Sequence, residues 1–331
     1  MNTRRKLLLA LVAGALAAPL GALAQQQGKI RRIGFLAARS RSILANPDVY
    51  YEAFEQGLRE LGYVEGKNIA IEWRFADGNI ERLPGLAAEL VRMKVEIIVT
   101  HGTVATQTAQ RATGTIPIVF AAATEPVGSG FAKTLTRPGG NTTGLALIAT
   151  DVSPKHLELL RLMIPKLSRV AFLMNPDTSS HAPILKSVQA AAQSIGVKVL
   201  PVNARNADEF ERGFDLMARE RSNAVIIPPD TFYIGLRREL ATLALKKRMP
   251  TMFSFREQVM AGGLMSYGQN LTDHYRRAAT YVDKILKGAK PGELPIDQPD
   301  KIHLAINRKT AKTLGIAIPQ EILLRADEVI E

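Results

Sequence analysis

The sequence predicts an α/β protein of two lobes, each built on a parallel β-sheet. Short apolar segments alternate with longer amphipathic segments through most of the 331 residues, which is typical of repeated β-α-β units. Segments 97–99 and 224–227 are continuously apolar, as strands buried on both faces of a parallel sheet are. The alternation stops near residues 149–153 and then restarts. This interruption favours two lobes over a single sheet of about ten strands.

The first half of the chain contains five predicted strands, at 30–37, 68–75, 95–100, 116–120 and 143–148. Helices are predicted between them at 47–61, 81–93 and 103–112, with a short helix at 128–135. Pro47 suits the first turn of its helix and Gly62 suits the C-terminal cap. Thr103 suits the N-cap of the third helix, either as a cap alone or as a cap that also contacts a ligand.

The second half repeats the pattern, with strands predicted at 169–174, 198–202, 224–227, 250–253, 264–267 and 302–306. Its longer helices are predicted at 153–163, 181–195, 208–219, 233–247, 273–287 and 308–314, with a short helix between the strands at 250–253 and 264–267. Ser153 suits an N-cap, with Pro154 at the first helical position.

The first 24 residues predict an export signal. Arg4, Arg5 and Lys6 precede an apolar run over 7–18, and the sequence Ala-Leu-Ala at 22–24 suits a signal-peptidase site. The run is shorter than the roughly 20 apolar residues that span a membrane. The arginine pair leaves both the general and the twin-arginine export routes open. The alternative is a buried N-terminal helix. We expect residues 1–24 to be removed and the protein to be periplasmic.

The composition excludes several classes of function. The chain has no Cys, which excludes disulfides, thiolate chemistry and Cys-ligated metals. Its formal charge is +12, but no basic run exceeds the three residues of 246–248. Scattered basic residues on an exported protein do not predict nucleic-acid binding. They favour a weak attraction to acidic surfaces or anionic solutes.

The sequence does not predict an enzyme, a cofactor or a metal site. The first strand is not followed by G-x-G-x-x-G, and 62–68 is one residue short of a phosphate-binding P-loop. No G-x-S-x-G segment occurs. The five histidines, at 101, 156, 181, 274 and 303, are far apart in sequence, and none belongs to an H-E-x-x-H motif.

Candidate binding residues lie just after the predicted strands, because open α/β sheets bind ligands at the carboxyl ends of their strands. They are small or polar for the most part: Ala38, Arg39, His101, Gly102, Thr103, Thr124, Glu125, Asn175, Asp230, Phe255 and Gln269. Several have a purely structural alternative. His101 could be a packed histidine, Asp230 an ordinary N-cap and Phe255 a core residue. Asn175 and Glu125 each precede a proline, and their role could be limited to forming a turn.

Four segments resemble one known family. They are 120–128 (FAAATEPVG), 137–144 (RPGGNTTG), 261–268 (AGGLMSYG) and the C-terminal region with 307–311 (NRKTA) and 323–327 (LLRAD). Together they resemble the ABC-transporter substrate-binding proteins akin to the tryptophan-binding protein. The resemblance extends from about Ile33 to the C-terminus.

The resemblance implies the periplasmic binding protein type 1 fold, in which two Rossmann-like lobes with parallel sheets are joined by a hinge of three crossing segments. The N-terminal lobe would contain residues 25–149 plus 269–299, and the C-terminal lobe 150–268 plus 300–331. The candidate residues would then line the cleft between the lobes. Many relatives carry Asp where this chain has Glu125, and the longer side chain would re-aim that part of the pocket.

The expected function is that of an exported, monomeric solute-binding protein which passes a small molecule to an ABC permease. The expected solute is an amino acid, aromatic ones included, or another small carboxylate. Its carboxylate would bind at the Gly102–Thr103 turn and its ammonium group at Asp230 or Glu125. Phe255, Tyr233 or Tyr267 would supply an aromatic wall. The alternatives are a sensor protein of the same fold that reports the solute to a receptor, and a Rossmann-type envelope enzyme.

Overall fold

The structure, a computed structural model, describes residues 30–40 and 48–331. The predicted signal peptide at 1–24 and Pro47, the predicted start of the first helix, lie outside the described residues. Within the described ranges, every helix is too short or too polar to cross a membrane.

The first sheet contains five parallel strands in the order β2-β1-β3-β4-β5. The strands are β1 (Arg31–Ala37), β2 (Ile69–Phe75), β3 (Ile97–His101), β4 (Ile118–Thr124) and β5 (Thr142–Leu147). The helices of this part are α1 (Val49–Glu60), α2 (Leu83–Arg92) and α3 (Thr103–Ala112). The strand order reverses at β1, which makes the sheet doubly wound and opens a crevice between the carboxyl ends of β1 and β3.

The second sheet contains seven strands in the order β12-β11-β10-β9-β8-β6-β7. The strands are β6 (Arg169–Met174), β7 (Lys198–Asn203), β8 (Ala224–Ile226), β9 (Thr251–Phe253), β10 (Met265–Gln269), β11 (Ile302–Asn307) and β12 (Glu328–Ile330). The helices are α4 (Ala149–Met163), α5 (His181–Ser194), α6 (Ala207–Arg219), α7 (Thr231–Gly235), α8 (Arg237–Lys246), α9 (Arg256–Met260), α10 (Leu271–Leu286), α11 (Arg308–Leu314) and α12 (Gln320–Arg325). A second crevice lies between the carboxyl ends of β6 and β8.

The expected α/β fold with parallel sheets is confirmed, and one pair of strands departs from the parallel arrangement. β10 and β11 are antiparallel, with Tyr267 opposite Leu304. After β10 the chain enters α10, which packs against α1, β4 and β5 of the first sheet. The chain therefore returns to β11 from the other sheet, and no local β-α-β crossover constrains the direction of β11.

The chain passes between the two sheets three times: after β5, after β10 and before β11. Each sheet has its own apolar clusters; for example, Phe35 and Tyr275 are buried with the first sheet, and Phe172 and Ile306 with the second. This arrangement is consistent with lobes at 25–149 plus 269–299 and 150–268 plus 300–331, although those boundaries stay a prediction.

Helix α4 begins at Ala149, four residues before the predicted start at Ser153. Pro154 therefore lies inside the helix, where it has no N–H to donate to the carbonyl oxygen of Thr150. The Ser187 hydroxyl on α5 donates to that carbonyl oxygen instead, at 2.9 Å. The interruption seen in the sequence is thus a helical turn stabilised by the neighbouring helix.

Two further expectations about elements are wrong, and two short elements were missed. Residues 128–135 form turns and bends rather than a helix, which agrees with the low helix propensity of Gly128 and Gly130. The predicted helix at 233–247 is two helices, α7 and α8, and the first begins at Thr231. The short elements α12 and β12 were not predicted; β12 is stabilised by pairing with β11.

Candidate ligand cleft

The two crevices face each other and form one cavity of about 480 Å³, including its opening to solvent. The first sheet contributes the ends of β1 and β3, and the second sheet contributes the ends of β6 and β8. Seven of the predicted residues line this cavity: Ala38, His101, Gly102, Thr103, Thr124, Asn175 and Asp230. Residues from distant parts of the sequence are therefore brought together by the strand order.

The N-terminus of α3 faces this cavity without a side-chain cap. Gly102, not Thr103, occupies the N-cap position, and its φ of 80° lies in the region that favours glycine. Thr103 is the first helical residue, so its predicted role as N-cap is wrong. Because Gly102 has no side chain, the first amide groups of α3 are available to an anion. Thr103 and Val104 line the cavity beside them.

Gly102 is also a point of close approach between the two sides of the cleft. A Cβ atom at this position would lie 2.1 Å from Oγ1 of Thr231. Thr231 is the first residue of α7, on the side of the second sheet. A side chain at 102 would therefore require the Thr231 hydroxyl to move away from its present position.

His101 presents a neutral ring to the cavity. It is 2% exposed, and its ring packs edge-on against Tyr275 with 5.2 Å between centroids. Burial, and secondarily the positive charge of Arg39, lower the pKa of His101 to about 3. Its Nδ1 has no hydrogen-bond partner among the described residues.

Asp230 lines the cavity, but each of its two carboxylate oxygens already accepts two hydrogen bonds from within the protein. One oxygen accepts from the amides of Phe232 and Tyr233, at 2.8 and 3.2 Å. The other accepts from the Thr178 hydroxyl at 2.7 Å and from the Asn175 amide at 3.3 Å. The geometry therefore fits the structural alternative, an N-cap of α7 that also ties two loops together.

Asn175 belongs to the same rigid wall. Its backbone amide donates to Nδ1 of His181 at 2.8 Å, and Nε2 of His181 donates to the carbonyl oxygen of Pro229 at 3.1 Å. These bonds connect the loop after β6 with the loop after β8. The wall is therefore preformed by the second sheet.

A second cavity of about 270 Å³, including its opening, adjoins the first and shares Leu147 and Pro229 with it. Its lining is mostly apolar: Leu147, Ile148, Ala149, Val152, His156, Pro229, Ser254, Phe255, Tyr267, Gly268 and Gln269. Phe255 and Tyr267, two of the residues expected to supply an aromatic wall, line this cavity. Phe255 is also a core residue, 2% exposed, and the contact of either ring with a solute stays a prediction. Tyr233 does not line the cavity, because it is fully buried in the core and its hydroxyl donates to the carbonyl oxygen of Ala204 at 2.8 Å.

Gln269 connects the three segments that cross between the sheets. Its Oε1 accepts from the amide of Ile148 at 2.9 Å, and its Nε2 donates to the carbonyl oxygen of Pro299 at 2.6 Å. Gln269 itself ends β10. Its side chain thus holds the crossing segments together at the floor of the second cavity.

Arg39 lies beside the cleft but lines neither of the two adjoining cavities. Its guanidinium pairs with both oxygens of Asp48. It also stacks over the rings of Tyr51 and Tyr50, at 4.4 and 5.1 Å from their centroids. The structure therefore places Arg39 in a buried ion pair next to the first crevice.

Glu125 is partly buried and lines none of the cavities found in the described part of the chain. Its φ is 51°, and its carbonyl oxygen accepts from the amide of Ser129 at 2.7 Å. This geometry fits a turn after β4. A contact between Glu125 and a solute stays a prediction.

Thr178 and His156 line the cavities but are not among the predicted binding residues. Thr178 follows the Asn-Pro-Asp turn after β6, so a longer window at that strand end would have included it. His156 lies two turns inside α4, away from any strand end. Its only sequence signal is the spacing of Ala149, Val152 and His156, which places them on one helical face.

Over residues 30–40 and 48–331, no cluster of His, Asp and Glu is arranged to hold a metal ion.

Comparisons with known proteins agree on one family. The profile of the family described as ABC transporter substrate binding protein matches residues 45–330. The tyrosine-binding protein of Clostridioides difficile (strain R20291) is 25% identical over 266 residues, which cover 80% of this chain and 76% of that protein.

Two solved structures are also similar to this chain. A conserved domain protein from Vibrio cholerae O1 biovar El Tor is 26% identical, with a TM-score of 0.84 over 91% of this chain and 100% of that one. An ABC domain in complex with L-Trp from Streptococcus pneumonia is 25% identical, with a TM-score of 0.82 and the same coverage. The Clostridioides relative is named as a binding protein, and the matching family is one of substrate-binding proteins, not of enzymes. With its two parallel-dominated sheets and a cleft between them, this chain belongs to the family of ABC transporter substrate-binding proteins.

Proposed function

We propose that this protein is the exported solute-binding component of an ABC importer and binds an amino acid with an apolar or aromatic side chain. The observation that carries the proposal is the pair of adjoining cavities. One lies at the uncapped N-terminus of α3, and the other is lined by Phe255 and Tyr267. Such a cleft suits a solute with a carboxylate at one end and an apolar group at the other.

The carboxylate binds the free amide groups at Gly102 and Thr103, where the helix dipole favours a negative charge. The side chain extends past Leu147 and Pro229 into the second cavity. The ammonium group lies toward the wall formed by Asn175, Thr178 and Asp230. Relatives named for tyrosine and found with L-Trp support an amino acid of this class.

Binding acts by hinge closure. The solute contacts both sides of the cleft only when they approach each other, so it shifts the population toward the closed form. Gln269 maintains the relative position of the crossing segments while the lobes move. The monomeric closed form then delivers the solute to the permease. The family works outside the cytoplasm, and the signal at residues 1–24 provides the export route to the periplasm.

Native mass spectrometry of the protein purified from its own periplasm, followed by calorimetry with L-amino acids and their amides, tests the proposal. We expect a retained mass of an amino acid and binding that weakens at least tenfold for the corresponding amide, since the amide lacks the charge that α3 attracts. Equal affinity for acid and amide would contradict the carboxylate site. Deletion of the gene for this protein should abolish uptake of the solute; unchanged uptake would favour the sensor alternative.

A further inference from the structure

His156 is a buried polar residue of the second cavity that the binding mode above does not use. It lies in α4 on the same face as Ala149 and Val152, and all three line the cavity. The ring is 2% exposed and packs edge-on against the ring of Tyr267, with 6.3 Å between centroids. This packing fixes the orientation of the imidazole at the apolar end of the cleft.

The hydrogen bond of His156 determines which of its nitrogens carries the proton. Nε2 lies 2.6 Å from the carbonyl oxygen of Tyr267. A carbonyl oxygen only accepts hydrogen bonds, so Nε2 must be the donor. Burial lowers the pKa of His156 to about 4, so the ring is neutral at neutral pH. A neutral ring protonated at Nε2 has a lone pair on Nδ1, which makes Nδ1 an acceptor.

Nδ1 of His156 is buried and has no hydrogen-bond partner among the described residues. Two other polar side chains that line the cavity are committed elsewhere. Gln269 donates to the carbonyl oxygen of Pro299, and the Ser254 hydroxyl donates to the carbonyl oxygen of Ile227. A buried acceptor without a donor is unfavourable. The missing donor is therefore best supplied by whatever fills the cavity.

We propose that Nδ1 of His156 accepts a hydrogen bond from an N–H or O–H group on the side chain of the bound amino acid. The cleft then selects an aromatic ring that carries a donor, such as an indole or a phenol, over a ring of similar size without one. The proposal rests on the proposed function, because it requires the side chain of an amino acid to occupy the second cavity. His156 acts as a specificity-determining residue.

The test is calorimetry on the mature protein with two pairs of ligands that differ only in the donor. The pairs are L-tryptophan with 3-benzothienyl-L-alanine, and L-tyrosine with L-phenylalanine. We expect the donor-bearing member of at least one pair to bind tenfold or more tightly, because a site built to hydrogen-bond a group rejects the analogue that lacks it. Binding within twofold in both pairs would overturn the selection and leave the proposed function intact.

Variants assign the preference to His156. In His156→Phe, which keeps an aromatic ring but removes the acceptor, we expect the preference to fall to within twofold. His156→Gln retains an acceptor oxygen and should keep part of the preference for the donor-bearing ligand. The matched control is His274→Phe, since His274 is equally buried but lines neither cavity, and the preference should remain there. An unchanged preference in His156→Phe would overturn the role of His156. Absence of binding to all four ligands would overturn the proposal for His156 and would restrict the proposed function to amino acids with aliphatic side chains.

Discussion

At the residue scale, the cleft depends on which hydrogen-bonding groups are already in use. Asp230 and Gln269 have the most conspicuous polar side chains, yet both are occupied by partners within the protein. The amide groups at the start of α3 and Nδ1 of His156 have no such partner among the described residues. A ligand therefore meets backbone amides and a neutral imidazole rather than a free carboxylate.

Asp230 is expected to act mainly through the fold. Asp230→Ala removes the cap of α7 and the acceptor of Thr178 and Asn175. We expect a loss of about 2 kcal/mol in the free energy of unfolding, together with weaker solute binding as the wall loosens. Asn206→Ala is the matched control, because Asn206 caps α6 on the surface. The Asn206→Ala variant should lose about 1 kcal/mol in the free energy of unfolding and keep its affinity for the solute. Denaturant unfolding and calorimetry measure both quantities. Unchanged stability in Asp230→Ala would show that its capping role is negligible.

Gly102 is expected to control closure. Gly102→Ala places a Cβ atom against Oγ1 of Thr231, so we expect the closed form to be disfavoured and solute affinity to fall at least tenfold. Gly315→Ala is the control: that glycine also has a positive φ, of 74°, but its Cβ would meet no atom within 4 Å. The Gly315→Ala variant should lose about 1–2 kcal/mol in the free energy of unfolding and keep its affinity for the solute. Adding Thr231→Ala to Gly102→Ala should restore part of the affinity. Wild-type affinity in Gly102→Ala would show that the contact does not limit closure.

At the scale of elements, α10 follows one of the three segments that connect the two sheets. It follows β10 directly and packs against α1 on the first sheet. The helices approach closely because residue 57 of α1 is a glycine: a Cβ there would lie 2.3 Å from the carbonyl oxygen of Arg276 and 2.9 Å from Cβ of Ala279. The close packing holds α10 over the first core.

Two glycine-to-alanine variants in helices should therefore have opposite effects. Gly57→Ala forces α1 away from α10, and we expect a loss of about 1–3 kcal/mol in the free energy of unfolding. Gly85→Ala lies in α2, where an added Cβ meets no atom within 4 Å. It should stabilise the protein by up to about 1 kcal/mol, because alanine favours the helix. Denaturant melts of the two variants measure the difference. A loss of stability in both would contradict the assignment of the effect to packing.

At the scale of the whole molecule, two separately packed sheets joined by three segments permit hinge motion. We expect the unliganded protein to be more open in solution than the structure described here, in which Gly102 and Thr231 are in close contact. Small-angle scattering should give a smaller radius of gyration at saturating solute than without it. Measurement on Gly102→Ala provides the control, since its radius should stay large. An unchanged radius of the wild type would contradict closure.

Buried histidines should make the stability of the whole molecule depend on pH. The folded-state pKa is about 3 for His101 and about 4 for His156, whereas the unfolded chain has an ordinary value near 6.5. Between these values the unfolded state binds more protons, so the free energy of unfolding falls as the pH falls. Each histidine contributes up to about 1.4 kcal/mol per pH unit.

Denaturant unfolding between pH 6.5 and 5 measures this slope. The stability that depends on a neutral His156 should be present in full above pH 6.5, and the free energy of unfolding should fall progressively toward pH 4. In His156→Gln the slope should decrease by up to about 1.4 kcal/mol per pH unit. A slope identical to that of the wild type would show that His156 is not buried as a neutral ring.

The sequence by itself determined the α/β class, most of the elements, the family and the strand ends that carry the cleft. These follow from local patterns, since apolar periodicity and turn residues act over a few positions. For the same reason the limits of α4 were missed, because the partner of the Thr150 carbonyl oxygen is Ser187 on another helix.

Only the tertiary structure decided which candidate groups are free to bind a solute. The partners of Asp230 at Thr178 and Asn175 are 52 and 55 residues away, and Gln269 accepts from an amide 121 residues away. No local pattern encodes such pairings, which arise when the strand order brings distant loops together. The same folding step buries His156 beside the cleft. The availability of a polar group is a property of its neighbours in space, and those are set by how the two sheets pack.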